Sequence, residues 1–474
     1  MSLALTQKEL FQDFENFGHS LNAPSIRFSP KNNEELHEAF KEAERRGFKI
    51  AFRGAGRSYN DAALNGGGMM VTFENMKEIL EWDPESGIVT VQPGISLGEL
   101  WQRVLPDGWW PPVVSGTMTT TLGGCLGMNI HGKNNFRLGT IGEHVLKFNA
   151  LLPNGAEITC SPDLNSDLFY SMIGGLGMLG AFTSITLKMK RVYSGFLRVT
   201  QYPVQNLNLH LEAIECDAPL HDYTVGWLDA TAGGDSLGRG QIHVADYLHD
   251  GEDSDPATSL RVDHQTLPAT MFGFFPKSII HYFMTPFMNN FGTRFVNSAK
   301  YLASLRTSTY LQSHAAFHFL LDYVPNWELA YGKQGLIQYQ TFLPKASALD
   351  TWKEMLITSQ KRGIPSYLGV TKRHRPDQFL LSHAVDGFSL AFDFKITKQN
   401  RRDLRTMLTE FDNITTNNGG RFYLAKNSET SSKTALAYLG KPAIEKFIQL
   451  KKRTDPDFIL ESDLFQRIFG AFVK

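Results

Sequence analysis

The stretch from Pro111 to Asn134, PPVVSGTMTTTLGGCLGMNIHGKN, constrains this chain more than any other. Glycine, threonine and small apolar side chains fill it until His131, Lys133 and Asn134 close it. Such composition is expected to build a backbone surface rather than a side-chain core. Glycine lets N–H groups approach a ligand with no Cβ in between. Such a surface suits a planar cofactor laid along it.

The remaining chain must supply the core. Its 474 residues exceed a single hydrophobic core, so two or three domains are expected. Apolar residues at 42% and charged residues at 20% describe an ordinary soluble protein. A net charge of −1 and a pI near 6.9 give no bulk reason to hold nucleic acid. Cys125, Cys160 and Cys216 lack paired metal spacing, and their odd count fits a reduced compartment without a disulfide framework. The opening MSLALTQKELFQDF lacks the basic-then-apolar order of a signal peptide. No run reaches the roughly 20 apolar residues of a bilayer span. A cytoplasmic protein is expected.

Residues 32–47, NNEELHEAFKEAERRG, have helical spacing, with Asn33 as N-cap and Gly47 at the end. The strand FKIAFRG feeds Gly54 to Asp61, GAGRSYND, a glycine turn whose consecutive N–H groups could grip a pyrophosphate. An ordinary turn between strands reads the same way. A second glycine turn at 66–68 precedes the strand MMVTF, and GIVTVQPGI alternates as another. Ser96 and Glu99 open a helix as a capping box. EHVLKFNALLPNGAEITC reads as two strands about Pro153-Asn154-Gly155, followed by a helix at DLFY and the strand AFTSITLKM. The order is α+β through about residue 195.

Two motifs mislead. Gly175 to Gly180 fits GxGxxG, but a dinucleotide fold needs that motif to leave a strand and open a helix, and here the order is reversed. GMNIHGKN lacks the Ser or Thr after Lys133 that a P-loop needs for Mg²⁺. His314 and His318 have zinc-like spacing without a third ligand, so no metal site is expected. Gln338 and Gln340, two apart in the strand GLIQYQTFL, share a face where their amides could meet sugar hydroxyls or merely solvent. Residues 265–295, rich in Phe and Met, read as a tilted interior helix pair or, preferably, as a mobile cover whose apolar side meets lipid.

RGAGRSYNDAA, PPVVSGTMTTTLGGCLGMNIHGKNN and DLFYSMIGGLGMLGAF stand in the order and spacing of the PCMH-type domain of vanillyl-alcohol-oxidase-type FAD-linked oxidoreductases. Beyond it, YGKQGLIQYQTFLP, LAFDFKI, GGRFYLAKNS and LKKRTDPDFILESDLFQRI resemble the decaprenylphosphoryl-β-D-ribose 2′-oxidases of that family. The likeness covers about residues 25–468. It implies an α+β, two-domain flavoprotein: an FAD-binding domain at 1–195, a substrate domain on a mixed or antiparallel sheet at 196–425, and a segment at 426–474 returning to the FAD domain.

By that resemblance Arg53, Gly54, Ala55, Gly56, Arg57, Ser58 and Tyr59, with Gly116, Thr117, Thr121, Gly123 and Gly124, cradle the FAD diphosphate. Gly177, Gly180 and Ala181 lie against the adenosine half, and Asn129, His131, Gly132 and Tyr423 complete the cofactor site. Many relatives hold flavin covalently through a histidine in the first glycine turn. Here the turn has none, and none of the cysteines is an expected substitute, so FAD is expected to bind non-covalently.

Lys426, beside Tyr423, would stabilise charge on reduced flavin or, desolvated, act as base. His131 would orient the substrate hydroxyl or itself take the proton. Lys133, Gln338, Gln340, Lys372 and Ser389 would contact substrate, with Lys372 on its phosphate. Ala391 stands where those oxidases carry a cysteine facing the flavin, and Ser389 where they carry asparagine. The implied reaction turns the 2′-hydroxyl of a polyprenyl-phospho-β-D-ribose into a ketone, the first half of epimerisation to the arabinose lipid donor for cell-envelope arabinan. An NADH-dependent keto-reductase, a quinone-like acceptor and a peripheral contact with the inner face of the membrane are the implied partners. The alternatives are an aldonolactone or alditol oxidase reducing O₂, and a flavoprotein without turnover.

Overall fold

The protein is described by a computed structural model over residues 11–271 and 275–473. Most of the N-terminal segment judged for a signal peptide, and part of the Phe/Met-rich stretch, therefore lie outside the described residues. A four-stranded sheet runs Phe11–Glu15, Asn22–Phe28, Met69–Thr72, Ile50–Arg53, its outer hairpin antiparallel and its other two pairings parallel. The helix Asn33–Arg46 buries Leu36, Ala39, Phe40 and Ala43 in the adjoining core. Its N-cap is Asn32, one residue before the expected Asn33, because Asn32 has extended backbone and its side chain accepts from the Glu35 N–H.

A five-stranded antiparallel sheet follows, in the order Ile79–Asp83, Ile88–Val91, Ala181–Lys188, Val145–Leu151, Glu157–Cys160. Its leading helix, Leu97–Val104, starts on the Ser96/Glu99 capping box. Leu151 and Ala181 pack in the same core as Ile50 and Met69, which joins the two sheets.

The third sheet has eight strands: Ser308–Ser313, Phe196–Val204, Gly240–Tyr247, Tyr223–Leu228, Gly369–His374, Gly387–Lys395, Leu336–Pro344, Arg421–Phe422. Every pairing is antiparallel, so it is not a mixed sheet. The helices Leu207–Asp217, Ala348–Lys361 and Arg401–Asn417 contribute to the core beside it. Period-two alternation sends Gln338 and Gln340 to the opposite face from Tyr339 and Thr341.

The chain then returns to the first sheet. Leu460 forms a parallel bridge with Ile50. Fully buried Lys451 donates to the Met178 carbonyl at 2.8 Å and the Leu460 carbonyl at 2.6 Å, and pairs with Asp455. Arg467 Nε donates to Asp61 at 2.8 Å.

Candidate active site

The glycine loops and the large sheet enclose a cavity of about 580 Å³. Residues 54–58 form one wall. Among the described residues their backbone N–H groups meet no acceptor, which leaves a row of donors facing the cavity. Glycine is required here: a Cβ on Gly54 would stand 2.0 Å from Thr121 Oγ1, and Gly56 has φ 66°. Ala55, Arg57, Ser58 and Tyr59 line the same wall.

Opposite them stand Gly116, Thr117, Thr121, Gly123 and Gly124. The carboxylate of Asp322, which sequence reasoning missed, ties this loop down by accepting from Thr117 Oγ1 and the Met118 N–H, each at 2.6 Å. Gly177, Gly180 and Ala181 border the cavity beside Phe52 and Phe182. Unpaired donors for a diphosphate and an apolar glycine-floored slot for a planar ring fit FAD.

Three expected cofactor residues stand behind this wall. Arg53 turns away to donate to the carbonyls of Ala63 at 3.0 Å and Glu15 at 2.8 Å, bracing the turn from outside. Asn129, with left-handed φ of 44°, accepts from the Gly142 N–H at 3.0 Å. Gly132 is packed against Asn134. None of the three lines the cavity.

His131, Tyr423, Lys426, Lys133, Lys372, Gln338 and Gln340 all do. The His131 ring contacts Gln340 Nε2 through its own Nε2 at 3.1 Å and Lys372 Nζ through Nδ1 at 3.4 Å. A neutral imidazole accepts at one nitrogen only, and an ammonium can only donate. If Lys372 donates to Nδ1, the Nε2–H can donate to Gln340 only with that side-chain amide turned so that its oxygen, rather than Nε2, faces the ring. Burial, then Lys372, His374, His383 and Lys426, hold His131 well below the ordinary imidazole pKa, so it is neutral.

Lys426 places Nζ 3.9 Å above the Tyr59 ring. Burial lowers its pKa, Asp393 opposes that, and Lys372 reinforces it. Asp393 was not singled out in the sequence, although a lone carboxylate in the apolar strand LAFDF was a legible signal. Burial raises its pKa, while the hydrogen bond from Gln338 Nε2 at 2.5 Å and Lys426 oppose the rise.

Lys133 donates to the Phe317 carbonyl, and burial, then Lys372, bring its pKa down to about 7. Burial brings Lys372 down to about 8. Ser389 does not reach the cavity: it is fully buried, with its hydroxyl 2.8 Å from His374 Nε2, and His374 in turn packs edge-on to His131. His374 and His383, which touches Tyr423 at 4.6 Å, gave no signal because an isolated histidine has none. His314 and His318 stack on Trp110 with centroids at 4.9 and 5.5 Å, which explains their spacing by packing. Ala391 faces the cavity, as does Cys125, whose thiol burial pushes up to about 12.

The sequence profile of the FAD binding domain family matches residues 24–161, the segment that carries both glycine walls. Decaprenylphosphoryl-β-D-ribose oxidase of Mycolicibacterium smegmatis is 31% identical over 437 residues, covering 90% of each chain. This chain belongs to that family of FAD-linked oxidoreductases. L-gulonolactone oxidase of Bos taurus is 27% identical over 209 residues, 43% of this chain and 47% of its own. As an FAD-linked oxidoreductase the protein uses FAD as its cofactor, and among its described residues no helix is long and apolar enough to cross a membrane.

Proposed function

We propose that this FAD-dependent oxidoreductase converts the 2′-hydroxyl of a polyprenyl-phospho-β-D-ribose to the 2′-ketone. The observation that carries this reading is the charge around the substrate end of the cavity. Lys133, Lys372 and Lys426 border it, while Asp393 is its nearby carboxylate. With Lys426 set aside as the base, lysines still outnumber carboxylates along this lining, which suits an anionic sugar better than a neutral lactone or polyol. The likeness over 90% of each chain to the Mycolicibacterium smegmatis oxidase, whose name specifies such a substrate, points the same way.

FAD, when bound, supplies the hydride acceptor. The protein's part is to bind, orient and deprotonate. Lys426 acts as the base, since its lowered pKa leaves a neutral amine available near physiological pH. His131, with Nδ1 occupied by Lys372, orients the hydroxyl instead. Gln338 and Gln340 offer uncharged amides to the remaining sugar hydroxyls.

The 2′-ketone requires a reductase to complete epimerisation, and the reduced cofactor requires a quinone-like acceptor. The lipid tail would meet the membrane at the apolar outer side of the helix Asn290–Ala303, where Phe291 and Phe295 are 82% and 61% exposed. An anaerobic titration with farnesylphosphoryl-β-D-ribose tests the reading: the visible flavin band should bleach with one equivalent. Bleaching by L-gulonolactone or free alditols, and not by the lipid-linked sugar, would transfer the assignment to a soluble sugar oxidase.

A further inference from the structure

One arm of the cavity reaches Lys300, on the helix Asn290–Ala303, a cation to which the chemistry above gives no role. Lys300 runs an exposed stem along that helix and turns its Nζ over the Trp227 ring, 4.0 Å from the centroid. Among the described residues no carboxylate or other acceptor meets this ammonium. Lys133 approaches from the other wall, 4.2 Å over Phe317. His243, on the strand Gly240–Tyr247, lines the arm with them. Burial, then Lys133 and Lys300, push its pKa to about 4, so it offers a neutral imidazole.

The helix is held in register at this point. Asn297 donates to Asp229 at 3.2 Å, and Arg239 donates to the Ser298 hydroxyl at 2.9 Å. Asp229 is thereby occupied by Arg239, Thr231 and Asn297 and gives Lys300 no counter-charge. Two lysines beside a neutral imidazole, without a carboxylate, form an arm complementary to an anion, whose arrival would favour their charged forms.

Strand register sets its distance from the reacting end. Ala391 pairs with Val370, and Val370 with Trp227, so Trp227 stands two strands away, about 10 Å. The phosphate of a pentose 1-phosphate is attached three bonds from C2′, which is shorter than that backbone span, so the long side chain of Lys300 has to reach inward to meet it. Lys372 contacts His131 at 3.4 Å, whereas among the described residues Lys300 meets only the Trp227 ring.

We infer that Lys300, with Lys133 and His243, forms the subsite for the phosphoryl group of a lipid-linked sugar, a deepening that rests on the proposed substrate class. Calorimetric titration of the FAD-loaded enzyme with farnesyl phosphate and with farnesol tests it. Wild type should prefer the phosphate, and Lys300→Gln should lower that preference about tenfold while Lys300→Arg retains most of it. Retained flavin absorbance in each variant confirms folding. Equal affinity for the two probes, an unchanged preference in Lys300→Gln, or competition by inorganic phosphate as strong as by farnesyl phosphate would overturn the subsite. The two readings fail separately. Bleaching by farnesylphosphoryl-ribose with an unaltered KM in Lys300→Gln removes the subsite alone. A Lys300-dependent phosphate preference without any bleaching removes the ribose reaction alone.

Discussion

Lys426 and the buried carboxylate of Asp393 shift each other's pKa, and that coupling gives the proposed base a measurable signature. As the proposed base, Lys426 would work as the neutral amine, so kcat/KM should rise with pH through a pKa below that of ordinary lysine. Asp393 holds this pKa up, so Asp393→Asn should move the acid limb to lower pH. A limb that stays in place, or moves upward, would remove Lys426 as the base. Lys426→Ala should keep bound FAD yet lose substrate-driven bleaching, and normal turnover in that variant would have the same meaning. The mode of cofactor attachment is also decided by single residues. Gly56, Arg57 and Ser58 include no histidine, and burial holds the Cys125 thiol in its protonated form at neutral pH. Acid precipitation should therefore leave the yellow colour in the supernatant, whereas a yellow pellet would mean a covalent bond.

At the level of elements, the two glycine walls meet edge to edge. A methyl on Gly54 has no room beside Thr121, and overpacking of this kind costs about 1–3 kcal/mol. Gly54→Ala should weaken FAD retention about tenfold or more, and adding Thr121→Ala should restore part of it. No recovery in the double variant would mean that the turn's backbone conformation, rather than that contact, is at fault. The large sheet positions the substrate side by register alone. A slip of one residue in Leu336–Pro344 would exchange Gln338 and Gln340 for Tyr339 and Thr341, which pack in the core.

Across the whole molecule, the C-terminal segment fastens onto the FAD domain through a buried charge. Lys451→Met would strand the Asp455 carboxylate in the interior and should destabilise the protein by about 3 kcal/mol in chemical denaturation. At the opposite surface, Phe291→Ser/Phe295→Ser should reduce flotation with anionic liposomes about tenfold. Equal flotation of wild type and variant would remove that face as the membrane contact.

The sequence by itself determined what short-range spacing can encode. The glycine turns, the Ser96 capping box and the shared face of Gln338 and Gln340 each depend on residues within a few positions of one another. Both glycine walls of the cavity were legible for that reason. Tertiary structure alone decided that Arg53, Asn129, Gly132 and Ser389 brace the site from behind. It also decided that Asp393, His243 and Lys300 border or charge it. Those placements follow from strand order and from which face of each element meets the cavity. Neither is written in a periodicity of two or of 3.6, because both arise only when strands distant in sequence pair.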